Sequence, residues 1–307
     1  MITKLSITRP EDVLAAVPVL LGFRPERSIV MITFGGDHQV HGRIDLPPPG
    51  EVEGCLDTLF LPAVRHGVRG IVLVLYDSGP RFGAKLARRL AERLIEHDID
   101  LSGCLRVEDG RWFDPLGLHG GPPEGVPFQV DDHPFRVQAV YDGHVVRGSR
   151  TEVAASIAPI PDAVLETEKA MEQASMMRVY EVSRLVDEAV AGVRLSAEQV
   201  AALLVSLRDP QRRDAAWGDM TRTEAKAHVG LWADVVRRSP ADHVAHPAAV
   251  LALAAWLGGD GALAWCALDR CFASERRHGL GGLVAQLLDG AVPPTAWEEE
   301  LTWADPA

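Results

Sequence analysis

Apolar residues follow two different periods along the chain. In the first half, Ser28-Ile29-Val30-Met31-Ile32-Thr33-Phe34 and Gly70-Ile71-Val72-Leu73-Val74-Leu75-Tyr76 are nearly continuous β-branched and aliphatic runs of strand length, the pattern of strands covered on both faces. A short helix around Val13, Ala16 and Val17 meets Pro18 and ends at Gly22, a residue suited to helix termination. Gly35-Gly36-Asp37 turns the first strand into a second, Val40 to Leu46, as a hairpin. Helices are expected from about Glu51 to His66 and from Arg81 to His97, then a strand from Leu101 to Val107 and a tight turn at Glu108-Asp109-Gly110-Arg111 before Trp112-Phe113. Asp114 to Pro127 is rich in Gly and Pro without periodicity and reads as a long surface loop. Asp131-Asp132-His133 caps a helix that opens at Pro134 and ends at Gly143, and Ser149 caps another before Pro159. This alternation predicts an α/β domain, a mixed sheet with flanking helices, over 1–160.

Beyond Pro159-Ile160-Pro161 the period is helical throughout. Val182/Leu185/Val186/Ala189, Val200/Leu203/Leu204/Leu207 and Val229/Trp232/Ala233/Val236 are followed by Val250/Leu253/Ala254/Leu257, Ala264/Ala267/Leu268/Cys271 and Leu280/Leu283/Val284/Leu287. Each repeats the i, i+3, i+4, i+7 spacing of an amphipathic helix. Gly258-Gly259-Asp260-Gly261 and Arg276-Arg277-His278-Gly279 separate the last three, Ser196 followed by Glu198 and Gln199 starts a capped helix, and Pro210, Pro240 and Pro247 are expected between helices. The reading is an all-α, helical-hairpin, tetratricopeptide-like domain over 161–307. Trp217, Trp232, Trp256, Trp265, Trp297 and Trp303 all fall in this half; Trp232 lies within its apolar template and Trp256 one step from it, so most of them are assigned to core packing.

Composition narrows the function classes. A chain of 307 residues with 47% hydrophobic content has ample material for a core, and its formal charge of −12 opposes a general role on phosphate backbones or anionic membranes. The helical half is the more acidic, with 14 Lys and Arg against 22 Asp and Glu. Cys55, Cys104, Cys266 and Cys271 have no metal-finger spacing, so reduced thiols, no metal and no cofactor are expected. Met1-Ile2-Thr3-Lys4-Leu5 lacks a signal-peptide pattern, and no apolar run reaches the ~18 residues of a membrane span. A soluble cytoplasmic protein without nucleic-acid or membrane partners is expected.

Chemistry-bearing candidates are few. Tyr76, Asp77 and Arg81 belong to a strand-to-helix turn, Tyr76-Asp77-Ser78-Gly79-Pro80-Arg81, where exposed helix amides and an arginine suit an anion. Neither G-x-G-x-x-G nor G-x-x-x-x-G-K-[ST] is present. Arg24, Arg43 and Asp45 form a second candidate, with Arg43 and Asp45 on one strand face. Its plainer reading is an ion pair that orders the Gly22-Phe23-Arg24-Pro25 turn; its functional reading is capture of a carboxylate or phosphate. Arg81, Lys85, Arg89 and Arg93 make a basic line on one helix, but Glu92 and Glu96 are interleaved, which favours a salt-bridged solvated face. His38 and His41 point to opposite faces of a strand, a poor metal pair, and no G-x-S-x-G elbow is present.

Longer strings carry a family resemblance. Leu20-Leu21-Gly22-Phe23-Arg24-Pro25-Glu26-Arg27-Ser28-Ile29-Val30, Asp109-Gly110-Arg111-Trp112, Pro122-Pro123-Glu124-Gly125, Arg213-Asp214-Ala215-Ala216-Trp217 and the string from Ala255 to Trp265 resemble the actinobacterial domain-of-unknown-function family numbered 4192, over nearly the whole chain. The resemblance implies an actinobacterial or phage setting and brings no catalytic residues. Many relatives in that family place cysteines just before the Pro-Pro-Glu-Gly string, where this chain has Leu118-His119-Gly120-Gly121, so no thiol or zinc role carries over there. Two functions follow from the residues. The first is a non-enzymatic adaptor whose helical module binds a protein partner; the alternative is a sensor or enzyme for a nucleotide or phosphorylated metabolite at the strand ends of the α/β domain.

Overall fold

The computed structural model describes residues 7–36, 40–141 and 146–297. The chain divides into two compact units, 1–150 and 151–307.

The first unit is built on a six-stranded mixed sheet, from β1 (Ser28–Phe34), β2 (Gly42–Asp45), β3 (Gly70–Tyr76), β4 (Asp100–Glu108), β5 (Arg111–Phe113) and β6 (Val126–Pro127), in the order β2-β1-β3-β4-β5-β6. Only β3 and β4 run parallel. The two apolar runs are the central strands, buried along almost their whole length. Alternation along the strands splits their side chains between two faces. Val30, Ile32, Val72, Val74, Tyr76, Leu105, Val107 and Trp112 pack against Val13, Leu14 and Val17 of α1 (Pro10–Leu21). The other face is met by α2 (Val52–Arg65) and α3 (Pro80–Glu96), each burying one stripe: Leu56, Leu59, Phe60 and Ala63 in α2, Leu86, Ala87, Leu90 and Leu94 in α3.

Helix α1 begins where Asp12 accepts the Arg9 amide at 2.9 Å and ends at Gly22, whose φ of 76° is left-handed, a conformation that glycine adopts without strain. The hairpin between β4 and β5 turns on Asp109 (φ 50°) and Gly110 (φ 69°), the paired positive φ of a type I′ turn. The expected loop from Asp114 to Pro127 is a loop until its last two residues, which pair with β5 as β6; two residues carry no readable period, and Pro127 suits an edge strand. Helix α4 (Pro134–Tyr141) packs on α1, burying Ala139 and leaving Val137, Val140 and Tyr141 exposed. The expected helix end at Gly143, the turn residue Asp37 and the leader reading at Met1 to Leu5 lie outside the described residues.

Helix α5 (Arg150–Ala155) leads into the second unit, which is helical: α6 (Pro161–Met171), α7 (Val179–Val190), α8 (Ala197–Ser206), α9 (Pro210–Ala215), α10 (Ala225–Arg238), α11 (Ala245–Leu257), α12 (Gly261–Ser274) and α13 (Gly279–Asp289). Ser196 and Gln199 form a reciprocal capping box on α8, and Asp209, Asp260 and His278 cap α9, α12 and α13 with their side chains.

Four details differ from the helical templates. Helix α11 is buried at every position from Pro247 to Leu257, because its alanines let α10, α12 and α13 close around it; it is a central helix without a solvent face. Pro247 lies inside its first turn, where no backbone donor is needed. On α10, Trp232 and Val236 of the expected set are buried together with His228, Leu231 and Val235, while Val229 and Ala233 are only half-buried, so the stripe is wider than expected and centred one position earlier. Leu283 on α13 is 41% exposed while Leu280 and Val284 are buried.

Candidate functional site

The start of β1, the end of β2 and the ends of β3 and β4 meet at one end of the sheet, through the pairs Ser28 with Asp45, Ile29 with Leu75 and Tyr76 with Val107. This end is where the six candidate residues are carried. Arg43 pairs with Asp45 at 2.6 Å, donates to the Glu26 carbonyl at 3.3 Å and lies 5.9 Å from the centre of the Phe23 ring. Asp77, left-handed at φ 53°, accepts the amide of Arg27 at 3.0 Å and gives its own amide to the Val107 carbonyl at 2.9 Å, tying β1, β3 and β4 together. Arg24 is drawn elsewhere, to Asp131 at 2.6 Å, which Arg136 also holds. Tyr76 is buried in the core under α1, and burial together with the charge of Asp77 pushes its hydroxyl far above the ordinary tyrosine range. Arg81 is exposed in the first turn of α3. Arg43, Asp45 and Asp77 thus serve the turns that hold the strand ends, and Arg24 stands apart from them in its own ion-pair cluster.

Behind this end, α3 lies so close to the sheet that Gly83 has no room for a side chain: a Cβ there would stand 2.4 Å from Ser78 Oγ and 2.8 Å from Arg106 Cδ. Arg106 is 6% exposed, stacks on Phe113 at 3.8 Å and pairs with Glu108. The Ser78 hydroxyl is buried without a hydrogen-bond partner. Gly83→Ala is therefore expected to lower stability by about 1–3 kcal/mol, overpacking outweighing the helix propensity gained. Adding Ser78→Ala removes the nearer clash and an unsatisfied hydroxyl and should restore part of the loss in urea melts, the contact with Arg106 remaining; a Gly83→Ala protein as stable as the parent would contradict this packing.

Two hollows among the described residues lie toward the opposite end of the sheet. One is lined by Val64, Gly67, Val68, Arg69 and His97 to Asp100, the other by Ile7 to Pro10, Val13, Phe34, Val72, Ser102 and His119. None of the six candidates lines either. The C-terminal half of the basic line on α3 is salt-bridged: Arg89 grips Glu53 of α2 with bonds of 2.6 and 2.9 Å, and Arg93 holds Asp57 and Glu96. Desolvation holds the His41 ring down at about 4, and its expected partner His38 lies outside the described residues. Trp232 and Trp256 are buried, and Trp256 and Trp217 each contact the Trp297 ring, with centroids 5.9 and 6.0 Å apart; Trp303 lies outside the described residues.

In the helical unit the fold assembles a group that no local spacing announces. His246 in the first turn of α11, Glu275 at the end of α12 and His278 at the start of α13 bring their ligand-capable atoms within 4.8 Å of one another. His246 Nδ1 and His278 Nε2 are 2.7 Å apart, and His278 Nδ1 accepts the Gly281 amide at 3.1 Å. That amide fixes the tautomer: His278 carries its proton on Nε2 and donates it to His246 Nδ1. Burial lowers the affinity of both rings for a second proton, with His278 brought to about 4 by burial and the His246 ring beside it. Thirty-two residues separate the two histidines, so only the packing of α12 between their turns reveals the pair.

No curated protein and no solved structure matches the chain. A family model described as a domain of unknown function, DUF4192, matches residues 10–295, and the chain belongs to that family.

Proposed function

We propose that the chain is a non-enzymatic adaptor whose second unit, a tetratricopeptide-like helical-hairpin module, binds a protein partner. Consecutive helices α10 to α13 pack on one another as hairpins around the buried α11, which supplies a rigid scaffold. The observation that carries the reading is a run of exposed apolar residues close together in the chain. Met176, Val179 and Tyr180, at the junction of α6 and α7, keep 49%, 41% and 56% of their surface exposed. Scattered single apolar residues are ordinary on a protein surface; several close together mark a contact site. Arg178 lies over the Tyr180 ring at 4.7 Å, an arrangement of aromatic and guanidinium groups enriched where proteins meet. The acidic balance of this half favours a partner with a basic rim.

The alternative, a small-anion site at the strand ends, needs a hollow lined by Arg24, Arg43, Asp45, Asp77 and Arg81, and none of these residues lines either hollow described above. A photo-cross-linking residue placed at position 180 of the full chain, in extract of the native host, tests the adaptor reading. A discrete adduct from position 180 that is absent when the probe stands at Ile95, an exposed position of the first unit, is the expected result. The same adducts from both positions, or none from 180, would count against it.

A further inference from the structure

Two imidazoles and a carboxylate converging from three separate turns are the donor set of a three-ligand zinc site with an open fourth position. We infer that the second unit binds one divalent transition-metal ion of the zinc class on His246 Nδ1, His278 Nε2 and the Glu275 carboxylate. The three donors already lie within 4.8 Å of one another. His278 is 2% exposed and His246 half-buried, while Glu275 faces solvent, so an ion enters from the Glu275 side and keeps water as its fourth ligand.

The site is close to a metal geometry without yet having it. Two nitrogens on a tetrahedral zinc stand roughly 3.3 Å apart, given bonds of ~2.0–2.1 Å, whereas the proton shared by the rings holds them at 2.7 Å. The ion takes that proton's place and the rings part slightly. Proton balance then makes a specific demand. His246 keeps its hydrogen on Nε2, and the single hydrogen of His278 moves from Nε2 to Nδ1, so no net proton is released at neutral pH. His278 Nδ1 is then no longer an acceptor, and the Gly281 amide that caps α13 at 3.1 Å loses its partner. Metal occupancy and the side-chain cap of α13 exclude each other. Arg213 acts on both rings, and Arg208 and His243 on His246, as nearby groups that oppose a cation; Glu275 acts against them, and Asp214 engages Arg213 at 3.2 Å.

The test uses the full chain, stripped with chelator and titrated with zinc by calorimetry and with cobalt by visible absorption. One saturable ion per chain and the ligand-field bands of four-coordinate cobalt are expected. His246→Gln, which keeps an acceptor for the His278 proton, should weaken binding at least ~100-fold, and Glu275→Gln by roughly 10–100-fold. Amide exchange at Gly281 should quicken in the zinc-bound protein. Absence of saturable uptake, zinc binding by His246→Gln as tight as the parent's, or an unchanged Gly281 amide in the bound form would overturn the assignment.

Discussion

Replacing Trp232 with alanine is expected to cost the second unit about 3–5 kcal/mol, the range for emptying a large aromatic from a core. Trp232 is fully buried, on the helix that packs along α11. Few neighbours can shift to fill the space, because α11 is itself enclosed on all sides. The indole N–H is buried without a hydrogen-bond partner, so the ring is held by packing alone. Trp232→Phe should therefore be far milder, within about 1–2 kcal/mol, since it loses volume but also removes an unsatisfied donor. Urea unfolding followed by far-ultraviolet circular dichroism measures both. An alanine variant within about 1 kcal/mol of the parent would mean that α10 is not part of the core.

Asp12→Ala should cost about 2–4 kcal/mol at neutral pH, combining a lost helix-start cap with donors left unpaired under α4. The Asp12 carboxylate, 6% exposed, accepts the amides of Thr8 and Arg9 at 3.0 and 2.9 Å and the Thr8 hydroxyl at 3.0 Å, with His133 Nε2 at 3.1 Å. Desolvation pushes its pKa up, but these donors outweigh it and hold the carboxyl down at about 2. Because the folded value lies below that of the unfolded chain, the stabilisation is complete above about pH 4 and is lost as pH falls toward 2. Parent and Asp12→Ala should thus differ most near neutrality and converge in acid. A gap that stays constant from pH 7 to pH 2 would show that the ionised carboxylate is not what is being held.

The sequence made legible whatever depends on neighbours in the chain. The apolar runs of β1 and β3, the Asp109-Gly110 turn and the stripe Ala264/Ala267/Leu268/Cys271 were readable because one period or one pair of turn residues decides them. Contacts that span the chain were not. Arg24 suggested a partner in Arg43 and Asp45 but is held by Asp131, 107 residues away. The all-round burial of α11 looked like a single stripe because alanine is compatible with a core and with a surface alike. The His246, Glu275 and His278 group joins three turns, and within 275–278 it resembles an ordinary helix connection. Pro247 read as a break because proline is barred from a helix interior, though not from its first turn.

Under the proposed adaptor function, charge at the sheet end serves the fold and the helical unit carries the contact with a partner. Melting temperature and yield of the position-180 adduct, measured side by side for Arg43→Ala and for Met176→Ser/Val179→Ser in chains carrying the probe, test it most directly. Arg43→Ala is expected to lower the melting temperature and leave the adduct yield of folded protein intact, whereas the double variant melts with the parent and loses the adduct. Adduct lost in Arg43→Ala at an unchanged melting temperature, with the double variant still cross-linking, would contradict it.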